Sequence, residues 1–186
     1  MDGPAQAHIF METELIINTT ANDFLMYQFA NGNIDHSTMS KVQEAWKAKG
    51  RIEVSQFRYD QETQRILAVA NQDKLYIPAG SGPAIRPVSL LLQLWKAVSF
   101  QLTARVFFNP DGVLRKLVAD IELMLRLLGA GSLALERVKG LRAGVERTIF
   151  EAREKRQARM AVMAGLDPDT PTWEVSAQDE LDDSLI

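Results

Sequence analysis

The sequence predicts an α+β fold dominated by helices: two short N-terminal helices, a small antiparallel β-meander, a three-helix C-terminal bundle and a disordered acidic tail. Over residues 87–164, apolar side chains recur every three to four positions, as on the buried face of a helix. Between residues 51 and 78, short runs of strand-forming residues alternate with turn-forming clusters. Residues 165–186 contain too little apolar surface to fold alone.

The first half of the chain gives the weaker helical signals. Residues 1–7 are expected to be disordered, and residues 8–164 to form a single globular domain in which 8–82 hold the short helices and the meander. The apolar run from Ile9 to Ile17 suits either a strand or a helix. A short helix is then predicted over "TTANDFLMYQFANGN", from a Thr or Asn cap, Thr19 being the first candidate, to a stop at Asn31-Gly32. A second is predicted from Ser37, a cap residue, to a stop at Gly50.

The segment Gln56–Gly82 can be interpreted as three short strands or as a helix that begins at Asp60. We favour the strands, because Asp60 and Thr63 suit a hairpin turn and the sequence "NQDK" forms a second turn cluster before "LYIP". The alanines Ala68 and Ala70 favour the helix instead, since alanine is the strongest helix former and is depleted in strands.

Residues 87–164 are predicted to form a bundle of three helices, over 87–108, 110–128 and 132–164. Asn109 suits the cap of the second helix and Pro110 its first turn, and Gly129 suits its end. The expected buried positions are Val88, Leu91, Trp95, Val98, Leu102 and Val106 in the first helix, Val113, Leu117, Ile121, Met124, Leu125 and Leu128 in the second, and Val138, Leu141, Val145, Thr148 and Ala152 in the third.

The chain has a net charge of −3, but its charged residues are distributed unevenly along the sequence. Residues 1–85 hold seven Lys/Arg against ten Asp/Glu, a balance of −3. Residues 86–164 hold fourteen against seven, a balance of +7, and residues 165–186 hold none against seven, a balance of −7. A basic helical half followed by an acidic tail is the most distinctive feature of the chain.

Several chemistries lack the residues they need. The chain has no cysteine and only two histidines, which excludes a disulfide scaffold, a thiolate zinc site and a cysteine nucleophile. No nucleophile–base signature or cofactor-binding motif occurs, so we assign no catalytic, cofactor-binding or metal-binding residue. The N-terminus has no signal-peptide pattern, which predicts an intracellular protein, cytoplasmic or nuclear. The apolar segment 87–108 carries polar residues along one face, which favours an amphipathic helix over a membrane span.

The favoured function is a non-enzymatic interaction or adaptor module that binds a protein partner through residues 132–164 and the tail. The stretch "REKRQAR", residues 153–159, is almost wholly charged, so we expect it to meet solvent or a charged partner. In the tail, acidic residues alternate with apolar ones, a pattern typical of short docking motifs. The candidate partner-binding residues are Arg153, Arg156 and Arg159 in the helix and Trp173, Val175, Leu181 and Leu185 in the tail.

Three alternatives stay open. Glycines at Gly140 and Gly144 are costly inside a helix, which indicates close packing either within the chain or in a homodimer seam with Leu141 and Val145. The basic half can instead bind nucleic acid, with the acidic tail as an internal competitor. The glycine loop 79–82 resembles a phosphate-binding position, although it lacks a lysine and is flanked by prolines, so a nucleotide-binding protein or small enzyme is the third alternative.

Overall fold

The computed structural model describes residues 2–52, 57–77 and 87–163, and within them the regular secondary structure is all helical, without a strand. The predicted α+β class is therefore wrong. The chain divides into two compact units, residues 1–146 and residues 147–186. The helices of the described residues are α1 (Gly3–Ala30), α2 (His36–Ala48), α3 (Gln61–Ala70), α4 (Pro87–Ala104), α5 (Asp111–Leu127) and α6 (Ser132–Met163).

Helix α1 is one continuous helix of 28 residues, where a short helix was predicted. It begins at Gly3, inside the segment that was expected to be disordered, because the Asp2 carboxylate accepts a hydrogen bond from the Ala5 amide at 3.0 Å and caps the first turn. The predicted cap residue Thr19 lies inside the helix, where its hydroxyl donates to the Leu15 carbonyl at 2.9 Å. The predicted stop is confirmed, since Gly32 adopts a φ of +74° just after the last turn.

Helix α3 occupies the place of the central predicted strand. Asp60 and Thr63, which suggested a hairpin turn, form a helix cap instead: the Asp60 carboxylate accepts a hydrogen bond from the Thr63 amide at 2.8 Å. The helix buries Leu67 and Ala68 completely, whereas Val69 is 39% exposed. This burial follows a helical period and not the alternation of a strand, which is the physical reason that the β-meander prediction fails.

On either side of α3, the described residues of the predicted outer strands, 51–52, 57–60 and 75–77, form no strand, and side-chain amides bind the backbone groups of Phe57 and Tyr76. The Asn22 side-chain oxygen accepts a hydrogen bond from the Phe57 amide at 3.2 Å, and the buried Gln64 side chain donates to the Phe57 carbonyl at 2.8 Å. The Gln28 side chain donates to the Tyr76 carbonyl at 2.5 Å and accepts from the Tyr76 amide at 3.1 Å. Buried backbone groups need partners, and here amides of α1 and α3 supply what a neighbouring strand would supply.

Helix α2 begins at His36, after Asp35, one residue before the predicted cap Ser37. Its Trp46 side chain connects it to the coil before α3. The indole nitrogen donates to the Ile52 carbonyl at 2.8 Å, the ring contacts the Tyr59 ring at 5.1 Å, and the Arg51 guanidinium lies 4.4 Å from the ring centre. Arg51 also forms an ion pair with Asp60. An aromatic ring, a cation and a carboxylate together therefore fasten this coil to α2 and α3.

Helices α4, α5 and α6 lie where the three C-terminal helices were predicted. The expected inward faces of α4 and α5 are buried at nine of twelve positions; Val106 and Val113 are exposed, and Val88 is half-buried. Helix α4 ends at Ala104, before the predicted end, and the next residue, Arg105, adopts a φ of +48°. Helix α5 begins at Asp111 with Pro110 as its N-cap, one residue later than the predicted cap Asn109, and it ends before Gly129, whose φ of +75° matches the predicted stop.

Candidate functional site

The C-terminal part of α6 lies in the second unit, and its exposed surface is the first candidate site. All residues from 153 to 160 are exposed, including the predicted partner-binding residues Arg153, Arg156 and Arg159. None of these three arginines forms an ion pair with another residue that the structure describes. The segment is therefore a solvent-facing helix with a high density of charge.

The basic residues in the first part of α6 are engaged in ion pairs, in contrast. Arg137 pairs with Glu12 of α1 at 2.6 Å, and Lys139 pairs with Glu136 at 2.7 Å. Arg142 pairs with Glu122 of α5 at 3.2 Å. Each pairing reduces the positive potential that a phosphate backbone would meet, so this half offers fewer available cations than its sequence balance of +7 suggests.

Glu122 is the most buried of these carboxylates and joins two helices. It lies 2.5 Å from Arg126 on its own helix and 3.2 Å from Arg142 on α6. The hydrogen bond from Arg126 lowers the pKa of Glu122, and the contribution of Arg142 adds to it, against burial, which acts to raise the pKa. Glu122 is thus held ionised between two guanidinium groups, an arrangement that stabilises the α5–α6 corner.

The candidate self-association residues divide into two groups. A side-chain carbon added at Gly140 or Gly144 would meet no atom within 4 Å, so close packing against the described residues does not account for either glycine. Gly140 is exposed, and Gly144 and Leu141 are half-buried. Val145 is 1% exposed and belongs to the buried side of the helix. Gly140 is therefore the outward part of this motif, Leu141 and Gly144 lie at its margin, and Val145 points to the core.

An open groove of about 460 Å³ lies between α1 and the corner where α5 meets α6. One face of α1 forms its floor, and the loop 128–131 and the first turns of α6 form its wall. Tyr27 and Leu133, at the groove, are 47% and 77% exposed. Its lining residues in α1 are Ile16, Thr19, Thr20, Asp23, Phe24 and Tyr27, and in α6 Leu133, Ala134 and Arg137.

Sequence reasoning missed this groove, although a signal for it was present. The positions 16, 20, 23 and 27 are spaced by three or four residues and lie on one helical face. The run Ile9–Ile17 and the helix from Thr19 were treated as separate elements, so this continuous face was not recognised.

The remaining predicted sites lie outside the described residues. These are the tail residues Trp173, Val175, Leu181 and Leu185 and the glycine loop 79–82. In the three described stretches, no group of three His, Cys, Asp or Glu side chains is placed to hold a metal ion. No helix in those stretches combines the length and apolar character needed to cross a bilayer.

Comparison with protein-family models, with curated proteins and with solved structures gave no match. The described residues thus define an all-helical protein with two candidate surfaces: a charged, exposed helix end and an open groove beside α1.

Proposed function

We propose that the chain is a non-enzymatic interaction or adaptor module, inside the cell, whose protein partner binds the C-terminal part of α6 and the acidic tail. The observation that supports this most is the exposure of every residue from 153 to 160, whereas Val138 and Val145 earlier in the same helix are buried. A helix segment that is largely polar all round gains little stability from packing against its own core. A bound partner therefore accounts for a helix that continues for more than two exposed turns beyond the buried positions.

The chemistry of the two adjoining segments favours a protein as this partner. Arginine binds carboxylates through two parallel hydrogen bonds, and Arg153, Arg156 and Arg159 recur at spacings of three along the exposed helix. Trp173 and Val175 in the tail are the residue types that anchor interfaces, and the neighbouring acids steer them to basic surfaces. Glu154 lies between Arg153 and Arg156, and Glu151 lies two residues before Arg153, which weakens attraction to a continuous phosphate backbone.

A pull-down from the cell extract of origin, with three baits, tests the proposal. The baits are the intact chain, a chain lacking residues 165–186, and the triple variant Arg153→Glu, Arg156→Glu, Arg159→Glu. We expect the intact bait to recover a protein that both altered baits lose. Recovery of the same proteins by all three would contradict the proposal.

The control bait carries the same change of charge on exposed positions of the first unit: Lys41→Glu, Lys49→Glu and Arg58→Glu. This variant is expected to retain the partner, because its substitutions lie on α2 and the following coil. Loss of the partner in the control as well would show that net charge alone governs recovery, and would remove the role assigned to α6.

Nucleic acid binding is the second candidate, since Arg153, Arg156 and Arg159 have no carboxylate partner among the described residues. Fluorescence polarisation with labelled single- and double-stranded DNA and RNA, at two salt concentrations, distinguishes it from protein binding. Affinity that appears on removal of residues 165–186 and falls steeply with salt would favour nucleic acid. Absence of binding at both salt concentrations would leave the protein partner as the sole proposal.

A further inference from the structure

The groove beside α1 has a largely exposed apolar residue at its edge. Leu133, in the first turn of α6, is 77% exposed and lines the groove whose floor includes Ile16 and Phe24. Tyr27, at one end of the same floor, is 47% exposed. A protruding leucine next to a concave apolar surface is the pair of shapes that a self-complementary interface needs, because each copy then supplies one knob and one hole.

The charges at the groove are arranged in the same self-complementary way. Arg137 lies near the N-terminal end of the groove, where it pairs with Glu12 at 2.6 Å, and Asp23 lines the groove further along α1. Glu12 and Asp23 are eleven residues apart, which is about 16 Å along a helix. The groove therefore carries the Arg137–Glu12 ion pair towards one end and the acid Asp23 towards the other.

We propose that a second copy of this chain docks in the groove, with the two α1 helices antiparallel and related by a two-fold axis midway between Glu12 and Asp23, at the level of Ile17 and Asn18. This rotation brings Asp23 of each copy to Arg137 of the other, so that both charged contacts form at once. It also brings each Leu133 to the groove of the other copy. The proposal uses only residues of the first unit and stands independently of the function proposed above.

The two-fold arrangement explains why the occupant is another copy and not an unrelated helix. A foreign helix would need one acid and one base at matching distances, whereas a rotated copy supplies both without further requirement. Arg137 can bind Asp23 of the other copy while it keeps Glu12, because a guanidinium has five N–H donors. Apolar burial of Leu133 would supply the affinity, and the charged pairs would fix the orientation.

Sedimentation equilibrium of the purified full-length chain tests the proposal, over a range of concentrations at low salt. We expect a monomer–dimer equilibrium in the unaltered protein. Leu133→Asp is expected to raise its dissociation constant by about 30-fold or more, the effect typical of a central apolar anchor. The matched control is Phe100→Asp on α4, where the side chain is 75% exposed, and it is expected to leave the equilibrium unchanged.

A charge-swap experiment tests the orientation. Asp23→Arg alone places two positive charges at each contact of the homodimer, and Arg137→Asp alone places two negative charges there. Each variant is therefore expected to raise the homodimer dissociation constant by about 10-fold or more. A mixture of the two variants restores opposite charges at both contacts, and we expect it to form a heterodimer. Circular dichroism of each variant confirms that it is folded.

Three results would overturn the proposal. The first is an unaltered chain that stays monomeric at the highest concentration reached, which would show that a second copy does not bind the groove. The second is a dimer that Leu133→Asp does not weaken. The third is a folded pair of charge variants that fail to associate when they are mixed.

Discussion

The hydrogen bonds of Gln28 allow a quantitative test of how the coil after α3 is held. Gln28 is fully buried on α1, and its side chain makes three hydrogen bonds: it donates to the Tyr76 carbonyl at 2.5 Å, accepts from the Tyr76 amide at 3.1 Å, and accepts from the Asn33 side chain at 2.8 Å. Gln28→Met keeps the length of the side chain and removes all three. A buried hydrogen bond contributes about 1 kcal/mol net.

The expected loss of stability for Gln28→Met is therefore about 2–3 kcal/mol. The lower value applies if water replaces some of the lost hydrogen bonds, because Tyr76 is 52% exposed. Urea unfolding followed by circular dichroism measures it. With a denaturant slope of about 2–3 kcal/mol per M, the midpoint is expected to fall by about 1 M. Gln93→Met on α4 is the matched control, since Gln93 is exposed. Equal midpoints for the two variants would refute the role assigned to Gln28.

Three further predictions concern stability. Glu122 has a lowered pKa in the folded state, so its stabilisation is present above the ordinary glutamate pKa and is lost as the pH falls; we expect Glu122→Gln to flatten the acid side of the urea midpoint plotted against pH. Arg105 has a φ of +48°, which costs a non-glycine residue about 1 kcal/mol, so Arg105→Gly is expected to leave the midpoint unchanged or raise it slightly. Leu67→Ala is expected to cost about 3 kcal/mol and Val69→Ala less than about 1, whereas equal losses would indicate a strand.

The helices from residue 87 onward could be predicted because their signals are local. Pro110 and Gly129 mark the boundaries of α5, and the spacing of Leu91, Trp95 and Val98 identifies the buried face of α4. These signals need no information about the rest of the chain, since caps and helical periodicity depend on residues within a few positions.

The error at α3 has a specific physical origin. An aspartate whose carboxylate bonds the amide three residues ahead occurs both in turns and at helix N-termini, so Asp60 and Thr63 are compatible with either. The tertiary structure decides between them. Leu67 and Ala68 are adjacent in sequence and both fully buried, which a strand with one buried face does not allow.

The coil segments could not be predicted because their partners are distant in sequence. Tyr76 is bound by a residue 48 positions earlier, and Phe57 by one 35 positions earlier. A short apolar run such as "LYIP" predicts a strand only if another strand satisfies its backbone. In this protein, buried glutamine and asparagine side chains do so, and nothing in the local pattern distinguishes an amide that binds a distant backbone from one that faces water.

Of the candidate sites, the charged end of α6 was evident from composition, whereas the groove was not. Five of the seven residues of "REKRQAR" are charged, which is sufficient to predict an exposed segment, because a charged side chain cannot enter an apolar core at low cost. The groove depends on where the α5–α6 corner lies relative to α1, and that position follows from long-range contacts such as the Glu12–Arg137 pair, 125 residues apart.

Helix α1 serves two structural purposes on two of its faces. Asn22 and Gln28 bind the coil segments around α3, and Ile16 and Tyr27 line the groove. Because these residues lie on different faces, a substitution on one is expected to change stability and a substitution on the other association. With unfolding measured at a protein concentration well below the dimer dissociation constant, where association adds nothing to stability, Gln28→Met should lower the unfolding midpoint without changing the dimer dissociation constant, and Leu133→Asp should do the reverse. If one substitution changed both the unfolding midpoint and the dimer dissociation constant, the groove would form only when the coil is held in place. Helix α1 would then couple the coil contacts to the groove.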